Sequence, residues 1–145
     1  MAFIFFTTEY AVKTHDKIIE ISGGASGILN IGILDSVLEH IQNDLYYTEL
    51  EDKLTHLVYA VNKGHAFQDG NKRSSIALGA FFLELNGLDA IVSKFIIEME
   101  NIAVHIADNR IDKELLNEII QSLIYEDEYS EEIKLKIIHA ITVEP

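Results

Sequence analysis

The chain is 145 residues long and 48% hydrophobic, with 11 basic and 24 acidic residues and a formal net charge of −13. This length and apolar fraction suit one domain, residues 1–145, with a single core, and exclude a disordered chain. The charge excludes a broad nucleic-acid-binding face, so no DNA binding is expected, and the absence of cysteine excludes disulfides and thiolate zinc sites.

The opening stretch "MAFIFFTTEY" has a short apolar run with no Lys or Arg before it. It is too short to span a membrane and lacks the cationic start of a signal peptide. It reads as a lead-in that packs against the first helix of a cytoplasmic protein with no membrane partner.

Apolar periodicity predicts an all-α bundle of six helices and a closing segment. The first helix spans Thr8 to Ser22, capped by Thr7 or Thr8, with Val12, His15, Ile18 and Ile19 near one face and Gly23-Gly24 at its end. After the loop "GGASGILNIG", a second helix covers Ile33 to Gln42, with Leu34, Val37, Leu38 and Ile41 at helical spacing. Residues Asn43 to Leu50 include the strand-type run Leu45, Tyr46, Tyr47 and Thr48, expected to form a small flap between the second and third helices. The third helix runs from Glu49 to Lys63, with Leu54, Leu57, Val58 and Val61 as its buried stripe and Gly64 as its C′ residue.

A fourth helix covers Asn71 to Asn86 and is apolar nearly all round, through Ile76, Ala77, Leu78, Ala80, Phe81, Phe82, Leu83 and Leu85. That pattern places it at the centre of the bundle. A fifth helix spans Ser93 to Ala107 and a sixth Asp112 to Tyr125. "EDEYSEE" is a solvated break, and "EEIKLKIIHAITV" reads as a helix, with a strand as the alternative.

Between the third and fourth helices lies "GHAFQDGNKRSS", Gly64 to Ser75. The first N–H groups of a helix have no partner within it and sit at the positive end of its dipole, which suits phosphate. Gly70 lets backbone approach a ligand closely, Asn71 can cap the helix or donate to a phosphate oxygen, Arg73 offers a planar fork, and Lys72 adds a point charge. Asp69 supplies a hard oxygen ligand beside this nest, so a Mg²⁺-nucleotide suits it better than a free anion. His65, four residues earlier, can accept a proton from a hydroxyl nucleophile near neutral pH. Phe67 points into the core as an anchor. Each residue alone suits an ordinary turn or cap; it is their conjunction before an all-round apolar helix that points to a site.

"HAFQDGNKR" resembles the signature of the Fic/Doc family, His-x-Phe-x-Asp/Glu-Gly-Asn-x-Arg, and specifically its death-on-curing (Doc-like) branch, which carries Asn-Lys-Arg. "GGASGILNIGILDSVLEHIQ", "LYYTELEDKLTHLVYAVNKGHAF" and "ALGAFFLELNG" agree, so that the resemblance covers Thr7 to Gly87 well. It implies the Fic helical bundle, His65 as general base, Asp69 holding Mg²⁺ on the phosphates of ATP, and Gly70, Asn71, Lys72 and Arg73 as the anion site. It also implies that Leu45 to Thr48 form the flap that docks a target segment by strand addition. Doc-like members are toxins of toxin–antitoxin pairs. The resemblance therefore implies a protein kinase acting on the translation machinery, with elongation factor Tu as the candidate target, and an antitoxin partner. AMP transfer to a protein is the alternative. Against it, Ile76 stands where AMP-transferring members carry a further Arg, and Lys72 replaces their second motif Gly.

Self-inhibited Fic proteins carry a helix with the pattern Ser/Thr-x-x-x-Glu-Gly/Asn. The nearest matches here are Ser122 to Asp127, which ends in Asp, and Ile96 to Asn101, which lacks the leading hydroxyl. An antitoxin supplying that helix in trans is therefore expected. One reading outside the family is an HD-type metal-dependent phosphohydrolase, using the His15-Asp16 pair with His56, His65 or His105 as further ligands. His15 is better read as a helix-face or core-edge residue. A decayed, non-enzymatic Fic module is the other rival, opposed by the intact His65, Asp69 and Arg73.

Overall fold

Short polar side chains set most of the helix starts. Thr7 accepts from the Tyr10 N–H, Asn30 from the Gly32 N–H and Asp112 from the Leu115 N–H, each satisfying a donor that the helix itself cannot. The computed structural model describes residues 2–142. Among them α1 is Thr8–Ser22, α2 Ile31–His40, α3 Leu50–Gly64, α4 Asn71–Leu85, α5 Val92–Ala107, α6 Lys113–Tyr125 and α7 Glu131–Thr142, with a 3-10 turn at Asp89–Ile91 leading into α5. The architecture is all-α among the described residues, and the closing segment left open by the sequence is a helix over Glu131–Thr142, its Val143 lying outside the described residues. Helix α2 begins two residues before its expected start because Asn30, rather than the glycine-rich stretch, provides the cap.

Helix α3 packs on α2, α4, α5 and α6, while α4 packs on α1, α3 and α5. The central position expected for α4 is thus shared, and α3 buries the broader surface. Beyond the predicted apolar stripe, α3 buries four polar residues, each with a partner. The Lys53 ammonium donates to the Ile41 carbonyl and the Asp44 carboxylate, both at 2.7 Å, beneath the rings of Phe3 and Phe5. Thr55 donates to the Glu51 carbonyl, Asn62 to the Ala103 carbonyl, and Glu51 accepts from the Tyr125 hydroxyl. A buried polar group without such a partner would cost about 1–3 kcal/mol.

The N-terminal lead-in packs as expected. Phe5 meets Phe82, Phe6 meets Phe81, and Tyr10 stacks on Phe81 with ring centroids 4.3 Å apart. The Asn86 side chain holds this segment from the other end by accepting from the Ile4 N–H and donating to the Ile4 carbonyl. No described helix is long and apolar enough to cross a membrane.

Close packing of α3, α4 and α5 depends on Gly79. A Cβ there would lie 2.8 Å from Phe95 Cζ and 2.9 Å from Val58 Cγ2. Replacing Gly79 with alanine gains helix propensity of about 0.5–1 kcal/mol but incurs an overpacking strain of about 1–3 kcal/mol. Gly79→Ala is therefore expected to lower unfolding free energy by about 1–2 kcal/mol in urea denaturation, the reverse of the usual effect of this exchange in a helix.

Candidate active site

The motif forms a connection of six residues, His65 to Gly70, from the end of α3 to the start of α4. Gly64 is the last helical residue of α3, not its C′ residue, and its lack of a side chain admits Ile33, whose Cγ2 would lie 2.8 Å from a Cβ there. The left-handed position falls on His65 instead, at φ 53° and ψ 45°. For a residue with a side chain this conformation is unusual and disfavoured. His65 is exposed, while Ala66 and Phe67 after it are fully buried.

Three segments hold the connection in place. From α4, Asn71 clamps Phe67: its Nδ2 donates to the Phe67 carbonyl at 2.9 Å and its Oδ1 accepts from the Phe67 N–H at 3.2 Å. From the loop of residues 23–30, the Leu29 and Asn30 N–H groups donate to the Ala66 carbonyl, and the Gln68 N–H donates to the Gly27 carbonyl. Ile28 and Phe67 form an isolated antiparallel bridge. From α1, His15 stacks on Phe67 and lies in hydrogen-bond contact with the Asp69 carbonyl.

Asp69 accepts from the Gly70 N–H at 2.8 Å and from the Ala25 N–H at 3.0 Å. The Ala25 bond, then the Gly70 bond, with the Arg73 charge adding to them, holds its carboxyl below the usual carboxylate range. Arg73 lies 3.9 Å from that carboxylate and donates to the Ser22 hydroxyl and, at 2.9 Å, to the Gly23 carbonyl at the end of α1. Gly24 is compulsory here: a Cβ on it would lie 2.6 Å from Asp69 Oδ2 and 3.0 Å from the Arg73 guanidinium, and its φ is 118°. Gly70, at φ 78°, opens α4, and no side chain caps that helix. The first N–H to close on the helix is that of Ser74, onto the Gly70 carbonyl. The N–H groups of Asn71, Lys72 and Arg73 thus face outward beside an exposed Lys72, as an anion nest requires. An ionised carboxylate next to an uncapped, cationic helix start fits a Mg²⁺-bound polyphosphate, with Asp69 as the group that would hold the metal.

The structure brings together His65, Asp69, Gly70, Asn71, Lys72 and Arg73. It also adds residues not singled out in the sequence as parts of the site: His15, Ser22, Gly23, Ala25 and Gly27. Their only signals were a polar side chain on the buried face of α1 and a glycine cluster after it. The Asn71 amide oxygen and one of its two N–H donors are engaged by Phe67, which leaves the second side-chain N–H and the backbone N–H for a ligand.

Residues Leu45 to Thr48 stand elsewhere. They precede α3, whereas the motif follows it, and their Tyr47 packs on His56 in the middle of α3. They form turns rather than a strand, because Asn43 caps the Leu45 N–H and Thr48 bonds back to Asp44. Leu45 is 91% and Tyr46 73% exposed, while Tyr47 turns inward. Tyr47 stacks on His56, and Lys113 donates to both His56 Nδ1, at 2.8 Å, and the Tyr47 hydroxyl, at 3.1 Å. The His15-Asp16 pair does not open onto a metal site: His15 is buried, Asp16 is exposed, and no group of three or more potential metal-ligating His, Asp or Glu side chains gathers among the described residues.

A helical bundle in which a His-Asp-Gly-Asn-Lys-Arg connection joins two buried helices has the architecture of the Fic fold. Residues 5–83, more than half of the chain, match the Fic/DOC family, and the chain belongs to it. It is similar to the "Protein kinase doc" of Escherichia phage P1, with 32% identity over 89 residues, 59% of this chain and 70% of that protein. It is also similar to the "Toxin Doc" of Mycolicibacterium smegmatis, with 34% identity over 70 residues, 46% of this chain and 54% of that protein, so this match spans about half of that relative.

Two outcomes follow from this geometry. Left-handed backbone at His65 costs a side-chain-bearing residue about 1–2 kcal/mol that glycine avoids, so His65→Gly is expected to be about 1 kcal/mol more stable than His65→Ala by urea denaturation. Midway along α3, burial first, then Lys113 and His40, push the His56 imidazole down to about 4. The unfolded chain therefore binds this proton first, and stability is lost as pH falls from about 6.5 towards about 4. A pH series of melting curves should show that loss, and His56→Gln should flatten it.

Proposed function

We propose that the protein is a Mg²⁺-dependent protein kinase of Doc type, transferring the terminal phosphate of ATP to a hydroxyl of a target protein. The observation that carries this reading is the uncapped start of α4, with Lys72 and Arg73 in its first turn and an ionised Asp69 beside it. ATP phosphates would lie on the N–H groups of that turn. Bound Mg²⁺ would neutralise phosphate charge and orient the leaving group. His65 takes the proton of the target hydroxyl as its oxygen attacks the terminal phosphorus. The bond from that phosphorus to the bridging oxygen breaks, and ADP leaves.

Phosphate rather than AMP transfer is supported by Ile76, which is half-buried against the core and offers no donor to a phosphate, and by the name of the phage P1 relative. The docking role implied for Leu45 to Thr48 is better filled by residues 27–31. Their backbone already pairs with the motif, and Ile28 and Leu29 are 43% and 63% exposed beside it. The reading includes a cytoplasmic site of action and an antitoxin supplying an inhibitory helix in trans, supported by the "Toxin Doc" relative and by the incomplete pattern at Ser122 to Asp127.

Purified protein incubated with lysate, Mg²⁺ and ATP labelled on the γ- or the α-phosphate tests the proposal, with elongation factor Tu as the first purified target. Label should enter protein from the γ position, and His65→Ala should slow it by about 10²–10⁴-fold. Label from the α position would establish AMP transfer and overturn the kinase reading.

A further inference from the structure

His15 takes no part in the transfer just described, yet it is fully buried in α1. Its ring lies flat on Phe67, with centroids 3.7 Å apart and planes 2° from parallel. Nε2 stands 2.5 Å from the carbonyl oxygen of Asp69. A carbonyl only accepts, so Nε2 carries a proton and donates it. Nδ1 has no hydrogen-bond partner and lies 3.8 Å from the exposed Asp16 carboxylate. A buried histidine oriented by one ring contact and one hydrogen bond, both to the motif connection, has been placed for that connection rather than for the core at large.

The accepting carbonyl belongs to the peptide unit between Asp69 and Gly70, which is trans and planar. The opposite edge of that unit carries the Gly70 N–H, and this N–H donates to Asp69 Oδ1 at 2.8 Å. Fixing one edge of the plane fixes the other. The restraint matters because Gly70 has wide conformational freedom and would otherwise let the plane rotate. Gly70 itself packs on the imidazole: a Cβ there would lie 3.4 Å from Nε2.

We propose that His15 is a positioning residue for the Asp69 carboxylate, acting through the single peptide unit Asp69–Gly70. The bond from Nε2 sets the plane, the plane aims the Gly70 N–H, and that N–H with Ala25 sets the two carboxylate oxygens. The consequence for metal binding rests on the reading of Asp69 given above; the peptide geometry does not.

Two variants separate the ring from the donor. His15→Phe keeps the stack on Phe67 and deletes the donor, and His15→Gln keeps a donor and deletes the stack. In the free protein, amide exchange of Gly70 and Ala25 should quicken about tenfold in His15→Phe and stay near wild type in His15→Gln. With a non-hydrolysable ATP analogue, Mn²⁺ affinity measured by electron paramagnetic resonance should fall about 10- to 100-fold in His15→Phe and be largely restored in His15→Gln. Unchanged amide exchange in a folded His15→Phe would overturn the proposal. Should His15→Phe fail to fold, ¹⁵N spectra of the wild-type imidazole decide alone: a proton on Nε2 supports the proposal, and a bare Nε2 overturns it. If wild-type protein binds no Mn²⁺-nucleotide, the metal role of Asp69 fails while the amide and tautomer measurements still decide the role of His15.

Discussion

Six residues connect two fifteen-residue helices, and the connection runs partly through the protein interior, so its backbone polar groups must find partners in the chain. That obligation organises the region. The Ala66 carbonyl is taken by Leu29 and Asn30, both polar groups of the Phe67 backbone by Asn71, the Gln68 N–H by Gly27, the Asp69 carbonyl by His15, and the Gly70 N–H by the Asp69 carboxylate. Every partner comes from α1, the loop after it, or the motif itself. The helices behind set where the connection can run, but these bonds set its shape.

Motif residues consequently divide into two kinds. Asn71 and Phe67 are consumed internally, one as a clamp and the other as a buried anchor. His65 and Lys72 are exposed, and Asp69 and Arg73 stand between, each tied to the α1 end while keeping an open side. A site made this way is rigid where the backbone must present N–H groups and open where a ligand must enter, which is the combination that charge stabilisation of a phosphoryl group calls for. Membership of the Fic/DOC family and the bonding pattern of the connection thus agree.

How much of this was legible in the sequence depended on how local the cause was. Helix positions followed from apolar spacing, and α1 and α6 were read to within a residue of their ends because Thr7 and Asp112 cap them locally. The motif was legible because its residues are contiguous. Residues 45–48 carry strand propensity in Leu-Tyr-Tyr-Thr yet form turns, because the deciding bonds come from Asn43 and Asp44 just before them. Burial of Lys53 was invisible, since its charge is compensated by a carbonyl and a carboxylate that only the turn after α2 brings near. The role of His15 was equally hidden, because a histidine on a helix face looks the same whether its neighbour is a leucine or a motif carbonyl.

The bonds that build the site are long in sequence as well as short in space. His15 and Asp69 are 54 residues apart, Ser22 and Arg73 are 51 apart, and Ala25 and Asp69 are 44 apart. Contacts of that separation form after local helices do, since closing a large loop must precede any gain from it. A chain emerging from the ribosome therefore has α1 available long before the connection that it must hold, and that connection is not fixed until α4 has docked. Shape and foldedness are coupled: partly folded or N-terminally trimmed molecules of this protein can keep much of their helix and still lack the bonds that hold the connection.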